Sequence, residues 1–251
     1  MNVSLFQAGA ALDANSRWQE IIAENLASGA VPGYKKQQLS IAAVQAGLMP
    51  GGVSGGSSAP MFVLPKATTT VNFASGQMKA TGVATDVAIE GKGFFAVQLP
   101  GGTTGYTRDG EFEMNSQGQL VTKEGYPVLG SGQSGAIQLN PRDPTPISIS
   151  ASGQINQGAT SRGQLTVAEF NKPELLTQVG SNYFVAKDPA LQMQPSAAKV
   201  RQGYLEGSNS STVLEMASLM TAMRGFEANQ HIIQIQDDRL GKTIADLGNP
   251  A

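Results

Sequence analysis

Residues 212–247 read TVLEMASLMTAMRGFEANQHIIQIQDDRLGKTIADL, and this stretch decides the fold. Steps of three and four residues from Met216 to Leu247 meet ten positions, of which eight are apolar, as at the a and d positions of a heptad repeat. The positions are Met216, Leu219, Met223, Phe226, Gln230, Ile233, Asp237, Leu240, Ile244 and Leu247. The spacing predicts one helix of roughly 54 Å, and an apolar stripe of that length needs a partner.

A second, weaker heptad stripe lies near the other end of the chain. The stripe ends at residues 28–33, SGAVPG, because glycine and proline do not sustain a helix. Its positions are Leu5, Ala8, Leu12, Asn15, Gln19, Ile22 and Leu26. The long helix therefore has two candidate partners, which are the N-terminal helix of the same chain and the helices of other copies. Gln230 and Asp237 interrupt the long stripe, as polar residues do where they specify register or partner number.

The residues between the two helices predict β-structure. Within residues 85–204, runs rich in β-branched and aromatic residues alternate with turn signals such as Asp109-Gly110 and Glu124-Gly125. This rhythm favours an antiparallel sandwich or open barrel, and no βαβ pattern appears. The predicted class is α+β. It has an N-terminal helix at 1–33, an extended linker region at 34–84, a central β domain at 85–204, and a C-terminal long helix at 205–251 that pairs with the N-terminal helix.

Composition excludes several classes of partner. The net charge is −2, from 17 basic and 19 acidic residues without a long run of either sign, so we expect no nucleic-acid partner. Cysteine is absent, which excludes disulfides and thiolate metal sites. We also expect no membrane span, because no apolar run reaches the required length, and no cleaved signal peptide.

The sequence predicts no enzyme. His231 is the single histidine and lies within the predicted long helix, where nothing places a nucleophile beside it. Asp237 and Asp238 point about 100° apart on a helix, which is a poor arrangement for a paired acid and base. No residues have the spacing of metal ligands or of a phosphate-binding loop. We therefore expect no catalytic, metal or cofactor site.

Residues 105–112, GYTRDGEF, read as a strand, a turn at Asp109-Gly110 and the start of another strand. The simplest structure with this pattern is a hairpin. Arg108 then pairs with Asp109, with Glu111 or with a carboxylate elsewhere in the chain.

Three separated blocks resemble the bacterial flagellar axial family, which comprises rod and hook proteins. They are ENLA at 24–27 with PGYK at 32–35, then TDVAIEGKGFF at 85–95 with YTRDG at 106–110, and LEGSN at 205–209 with RGFEAN at 224–229. Ser28 and Val31 depart from the family's usual Asn and Thr. The residues that carry the resemblance are Asn25, Leu26, Ala27, Gly33, Asp86, Gly91, Gly93, Phe94, Phe95, Tyr106, Thr107, Arg108, Asp109, Gly110, Ser208, Asn209, Arg224, Glu227 and Asn229.

The resemblance implies a structural subunit of the basal-body rod. Family members polymerise into a helical drive shaft, with paired terminal helices lining its channel and β domains facing outward. The implied partners are other copies, other rod proteins, the flagellar type III export apparatus and the outer ring bushing. The implied location is the rod in the periplasmic space, reached without a cleaved signal peptide. The expected assembly interface consists of Leu5, Leu12, Ile22, Leu26, Met216, Leu219, Met223, Phe226, Ile233, Leu240, Ile244 and Leu247.

The length of the chain reduces the number of family members that it can be. Hook subunits usually carry an additional outer domain and more residues, so the chain resembles a rod protein more than a hook protein. Residues 49–58 lack a clear match to the long loop of the distal rod subunit, which favours the proximal rod. The alternatives are the distal rod subunit and, outside this family, a secreted β-rich binding protein.

Overall fold

The computed structural model describes residues 3–48, 61–131, 135–180, 182–188 and 190–248. The chain divides into two compact units. The first contains residues 1–27, 37–70 and 212–251, and the second contains residues 28–36 and 71–211. Two terminal helices and antiparallel strands between them confirm the predicted α+β class. The four-part division drawn from the sequence stays a prediction.

The helices are α1 and α2, and the strands are numbered β1 to β17 in chain order. Their bounds are α1 Val3–Ala27, β1 Gln37–Leu48, β2 Met61–Val71, β3 Met78–Ala80, β4 Val87–Glu90, β5 Phe94–Gln98, β6 Thr104–Thr107, β7 Phe112–Met114, β8 Leu120–Thr122, β9 Ile147–Ile149, β10 Gln154–Gln157, β11 Thr160–Gln164, β12 Val167–Phe170, β13 Thr177–Val179, β14 Tyr183–Val185, β15 Met193–Pro195, β16 Lys199–Gln202, β17 Tyr204–Glu206 and α2 Thr212–Gly248.

Helices α1 and α2 pack against each other in the first unit, as the sequence predicts. The side chains of Ile22 and Ala222 are buried, and Gln19 donates from Nε2 to the carbonyl oxygen of Ala222 at 3.4 Å. Asn15 lies beside Gly225. Since residue numbers fall along α1 as they rise along α2, the helices are antiparallel. No helix in the described part of the chain is both long and apolar enough to cross a membrane.

Strands β1 and β2 form a separate two-stranded sheet in the region predicted as a linker. The amide of Asn25, near the end of α1, makes two hydrogen bonds with the backbone of Gln37. Its Nδ2 donates to the carbonyl oxygen at 2.8 Å, and its Oδ1 accepts from the N–H at 2.9 Å. The first residue of β1 is thereby fixed to the end of α1. The glycine-rich stretch at 50–58 lies outside the described residues.

The second unit is organised around a six-stranded sheet in the order β13–β14–β6–β5–β12–β15. Side chains alternate between the two faces of a strand, and both faces of β5 are buried. Phe95 and Val97 join one hydrophobic cluster, whereas Phe94 and Ala96 join another. This explains why the sequence of β5, FFAVQ, is a continuous apolar run.

The simple hairpin expected at residues 105–112 is wrong. Strand β6 pairs with β5 and β14, while β7 pairs with β8. The turn therefore carries the chain from one sheet to another. Residues Arg108 and Asp109 in this turn are buried, and a Cβ at Gly110 would lie 1.7 Å from the carbonyl oxygen of Val87. Close packing of the turn on β4 thus replaces the expected pairing.

Candidate functional site

A buried ion-pair cluster joins three distant parts of the second unit. Lys35 donates from Nζ to Oε1 of Glu206 at 2.6 Å, and Arg108 donates from Nη1 to Oε2 of the same carboxylate at 3.1 Å. The three side chains are 0 to 4% exposed. We call Lys35, Arg108 and Glu206 the Glu206 cluster. Of the three partners that the sequence leaves open for Arg108, the structure shows the carboxylate elsewhere in the chain, which is 98 residues away.

Backbone carbonyl groups accept further hydrogen bonds from both cations. Lys35 Nζ donates to the carbonyl oxygen of Ala74 at 2.9 Å, and Arg108 Nη2 donates to that of Gly91 at 2.7 Å. The guanidinium group also lies over the ring of Phe94, 5.4 Å from its centre. Burial lowers the pKa of Lys35 and the pKa of Arg108, and the Glu206 carboxylate opposes this in both cases.

Glu206 also accepts backbone hydrogen bonds, one through its side chain and one through its main-chain carbonyl group. Its Oε1 accepts the N–H of Gly76 at 2.8 Å, and its carbonyl oxygen accepts the N–H of Gly33 at 2.6 Å. Gly33 has φ +68°, and a Cβ there would lie 2.3 Å from the backbone nitrogen of Asp109. Only glycine fits this conformation and this approach without strain. The segment that follows α1 is therefore held directly against the turn that carries Arg108.

Asn209 fixes the segment that precedes α2. Its Oδ1 accepts the backbone N–H of Lys36 at 2.7 Å, and its Nδ2 donates to the carbonyl oxygens of Asn72 at 2.8 Å and Ala74 at 3.0 Å. Its own backbone N–H donates to the carbonyl oxygen of Tyr34 at 3.3 Å. The two chain segments that lead to the helices, 28–36 and 204–209, are therefore bonded to each other within the second unit.

Asp109 is a buried carboxyl group beside the Glu206 cluster. Its Oδ2 accepts from Nδ2 of Asn182 at 3.1 Å, and that same amide donates to the carbonyl oxygen of Pro32 at 2.9 Å. Its Oδ1 accepts the backbone N–H of Glu111 at 3.0 Å. The pKa of Asp109 is raised to about 7, mainly by burial and in addition by the nearby carboxylates of Glu111 and Glu124, while the hydrogen bonds from the Glu111 N–H and from Asn182 oppose the rise.

Asn182 also lines a cavity of about 730 Å³. Its walls are largely apolar and include the rings of Tyr126 and Tyr183, which meet edge to face at 5.3 Å. The hydroxyl group of Tyr183 donates to the carboxylate of Glu124 at the rim. No described group of acidic residues and histidine could hold a metal ion, and His231 lies exposed on α2.

The structure brings together residues from all three sequence blocks. Gly33, Gly91, Arg108, Asp109 and Asn209 meet around the Glu206 cluster. Phe94, Phe95 and Tyr106 lie in the two hydrophobic clusters, Asp86 and Thr107 are buried, and Gly93 packs tightly against Val167 and Ser196. Ser208 accepts the N–H of Ser210. The remaining members lie on the helices, away from these contacts: Asn25, Leu26, Ala27, Arg224, Glu227 and Asn229.

Sequence reasoning did not single out Lys35, Glu206 or Asn182 as site residues. Lys35 and Glu206 do lie inside the quoted blocks PGYK and LEGSN. Lys35 follows Tyr34 and Glu206 follows Leu205, and a charged residue next to a large apolar one in such a block is a signal that could have suggested burial with a partner. Asn182 lies outside every block, and nothing in the sequence marked it.

The residues of the expected assembly interface fall into two sets. Ile22 is buried, and Leu12, Leu26, Leu219, Phe226 and Ile233 are half-buried. Met216, Met223, Leu240 and Ile244 are 41 to 69% exposed. The side chains of Leu5 and Leu247 lie outside the described residues. Helix α2 therefore has an apolar face that packs within the chain and further apolar side chains that do not.

Two family models match this chain, one over part of the β-strand region and one over α2, and both describe flagellar proteins. Residues 88–157 match the model of the flagellar hook protein FlgE/F/G D1 domain, and residues 201–247 match that of the flagellar basal body rod FlgEFG protein C-terminal region. The flagellar basal-body rod protein FlgF of Mesorhizobium japonicum is 32% identical over 250 residues, which is 99% of each chain. The chain belongs to the flagellar basal-body rod family.

Two further relatives carry the names of two rod proteins. FlgF of Caulobacter vibrioides is 34% identical over 209 residues, covering 83% of each chain. FlgG of Borreliella burgdorferi is 37% identical over 191 residues, covering 70% of this chain and 69% of that protein. The resemblance drawn from the three blocks is confirmed. This rod-family chain is a structural subunit of the flagellar basal body, and its partners are other rod components.

Replacing Glu206 by Gln should destabilise the second unit by about 3–5 kcal/mol, because two buried cations lose their counter-charge. The measurement is urea unfolding followed by circular dichroism. The matched control is Lys123→Ala, which breaks the 3.6 Å ion pair between Lys123, 64% exposed, and Glu111. That change should cost less than about 1 kcal/mol. Equal, small losses in both variants would contradict a structural role for the cluster.

Asp109 should make stability fall as pH rises. Its pKa is raised in the folded state, so its stabilising contribution is complete below the ordinary pKa of 3.8 and is lost as pH rises to about 7. Asp109→Asn removes this dependence. The free energy of unfolding of the wild type should therefore fall relative to the variant by up to roughly 4 kcal/mol between pH 4 and pH 8.

The control for Asp109 is Asp143, whose pKa is shifted in the opposite direction. Hydrogen bonds from Thr145 lower the pKa of Asp143, so its contribution is lost as pH falls rather than as it rises. Asp143→Asn should accordingly leave the difference from the wild type nearly constant between pH 4 and pH 8, because the contribution of Asp143 is lost only at lower pH. A difference between wild type and Asp109→Asn that stays constant from pH 4 to pH 8 would show that Asp109 does not titrate in this range.

Proposed function

We propose that this rod subunit polymerises through the exposed apolar side chains of its terminal helices. The observation that carries the proposal is the exposure of Met216, Met223, Leu240 and Ile244 on α2, while other apolar residues of the same helix pack against α1. Exposed apolar surface of this kind marks a protein interface more often than a free surface. The partners are other copies and neighbouring rod proteins.

The proposed position is the proximal rod. The described strands of the second unit form one compact unit, whereas hook subunits usually carry an additional outer domain, and this argues against a hook subunit. Relatives of both names align over more than nine-tenths of this chain, so the proposed position rests on residues 49–58, which lack a clear match to the long loop of the distal rod subunit. The distal rod is the alternative, since relatives of both names match.

Three further properties belong to the same proposal. The subunit reaches the periplasmic space through the flagellar type III export apparatus. Once in the rod, it meets the outer ring bushing. It has no enzymatic activity of its own. The exposed position of His231 and the structural use of Arg108 and Glu206 support this last point, since neither arrangement resembles an acid–base pair open to a substrate.

Met223→Asp should abolish swimming in soft agar and remove the chain from isolated basal bodies, because a carboxylate is costly to bury in an apolar contact. Met223 is 51% exposed, so the monomer should keep its circular dichroism spectrum. His231→Asp adds a carboxylate at an exposed polar position of the same helix and should leave cells motile. Equal motility of both variants would count against an interface at Met223.

The proposed position can be tested in cells that lack the distal rod subunit. A proximal subunit assembles before the distal rod, so the chain should still be present in basal bodies purified from such cells. Immunoblots of those particles give the answer, with particles from wild-type cells as the reference. If the chain disappears together with the distal rod, the proximal assignment is wrong.

A further inference from the structure

The cavity that Asn182 lines lies wholly within the second unit. Its walls come from the loop after β5, the turn after β8, strands β13 and β14, and the segment 28–36. Its volume of about 730 Å³ is typical of sites that hold a small molecule or a single side chain. Such sites combine largely apolar walls with a few polar groups that orient the ligand. The polar groups of this cavity therefore indicate which ligand it accepts.

A turn held by hydrogen bonds brings Glu124 and Tyr126 to the cavity. Gly125 lies between them with φ +86°, and its N–H donates to the carbonyl oxygen of Thr122 at 2.8 Å. The N–H of Tyr126 donates to Oγ1 of Thr122 at 3.2 Å. The ring of Tyr126 packs on that of Tyr183, with 79° between the ring planes. One carboxylate and two aromatic rings are thus in place before a ligand binds.

The carboxylate of Glu124 has acceptor positions to spare. The hydroxyl group of Tyr183 donates to its Oε2, whereas a carboxylate can accept about four hydrogen bonds. Burial and the hydrogen bond to Glu124 raise the pKa of Tyr183, so the hydroxyl group keeps the proton that it donates. No cation forms an ion pair with Glu124 in the described part of the chain. The carboxylate is therefore oriented by Tyr183 without being neutralised.

The other polar groups of the cavity also favour a positively charged donor. Asp109 is near enough to Glu124 for that carboxylate to raise its pKa, so negative charge accumulates on this side of the unit. Asn182 has a buried Oδ1 that accepts no hydrogen bond from the described residues. Lys187, the one cation among the described lining residues, is exposed and forms no ion pair with them. The lining thus offers unused acceptors and unpaired negative charge.

We propose that this cavity binds an alkylammonium ion, with the carbon chain against Leu99, Val179 and Val185 and the ammonium group at Glu124. An ammonium group has three N–H donors and no acceptor, which matches the acceptors of the lining. Tyrosine rings attract cations to their faces, and apolar walls favour the transfer of a carbon chain from water. An anionic ligand would be repelled by Glu124, and a neutral one would leave its charge unpaired.

Two sources can supply this chemistry. One is a free aliphatic amine, and the other is a lysine side chain of a neighbouring rod component. Both present a primary ammonium group on an unbranched carbon chain. The binding site is the same in both cases, so it can be tested first with a free probe. That test does not depend on the proposed polymerisation.

The probes are n-pentylamine, n-pentanol and pentanoate, which have similar size and differ in the charge of the end group. The purified full-length chain would be titrated with each and followed by ¹H–¹⁵N NMR. We expect the amine to bind roughly tenfold more tightly than the alcohol, because a hydrogen bond to a charged group is the stronger one, and pentanoate to bind most weakly. The shifts should be largest at Tyr126 and Tyr183. Glu124→Gln should lower the affinity for the amine to that for the alcohol.

The matched control is Glu113→Gln, since Glu113 is an exposed carboxyl group of β7 that does not line the cavity. This variant should keep the preference for the amine. Tyr126→Leu is the second test variant if Glu124→Gln fails to fold. It keeps an apolar wall but removes a ring, so it should weaken the amine several-fold more than the alcohol. Equal affinities for amine and alcohol in the wild type, or a preference that survives both test variants, would overturn the proposal.

Carbodiimide treatment of isolated basal bodies distinguishes the two sources, because it joins a carboxylate to an amine in direct contact. Suppose that the NMR titrations show the preference for the amine. A cross-linked band that is present with the wild type and absent with Glu124→Gln then identifies a lysine of a neighbouring rod component. Identical bands in both identify a free amine as the ligand. Either result supports an alkylammonium site, and the proposed polymerisation stands or falls separately with the Met223→Asp variant.

Discussion

The carboxylate of Glu206 is the constraint on which the second unit depends. Its two oxygens accept hydrogen bonds from the Lys35 ammonium group, the Arg108 guanidinium group and the backbone N–H of Gly76. The main-chain carbonyl oxygen of Glu206 accepts another from the N–H of Gly33. A buried charge without partners costs several kcal/mol, so conformations that separate these groups are strongly disfavoured. Because Lys35 follows α1 and Glu206 precedes α2, one interaction fixes both of the chain segments that lead to the terminal helices. We interpret the cluster as a source of conformational specificity.

The strands around the cluster explain how these groups become buried. Strand β5 has hydrophobic neighbours on both faces, so the sheet lies within the unit rather than at its surface. The turn after β6 leaves this sheet and packs so closely on β4 that Gly110 has no room for a side chain. Arg108 enters the interior from this turn and finds the carbonyl oxygens of Ile89 and Gly91 within hydrogen-bonding distance. Local strand geometry thus determines where the cation meets its carboxylate.

Periodicity predicted the two helices and their pairing because a stripe at steps of three and four is a local property. It did not separate the packed face of α2 from the exposed one. The heptad series includes both Phe226 and Met223, and side chains three residues apart lie about 60° apart around a helix, so these two positions border different sides of the stripe. The Glu206 cluster could not be derived locally, since Lys35 and Glu206 are 171 residues apart and meet only through the fold of the strands. The three sequence blocks are local patterns, so they identify the family without knowledge of this contact.

Burial of the Glu206 cluster also affects how the protein responds to salt. Dissolved ions weaken attraction between charges at a surface, and they weaken it far less between charges that solvent does not reach. With side chains 0 to 4% exposed, the bonds that fix both helix-linked segments should keep their strength in dilute and in saline surroundings alike. A change in salt concentration should therefore leave segments 28–36 and 204–209 joined to each other.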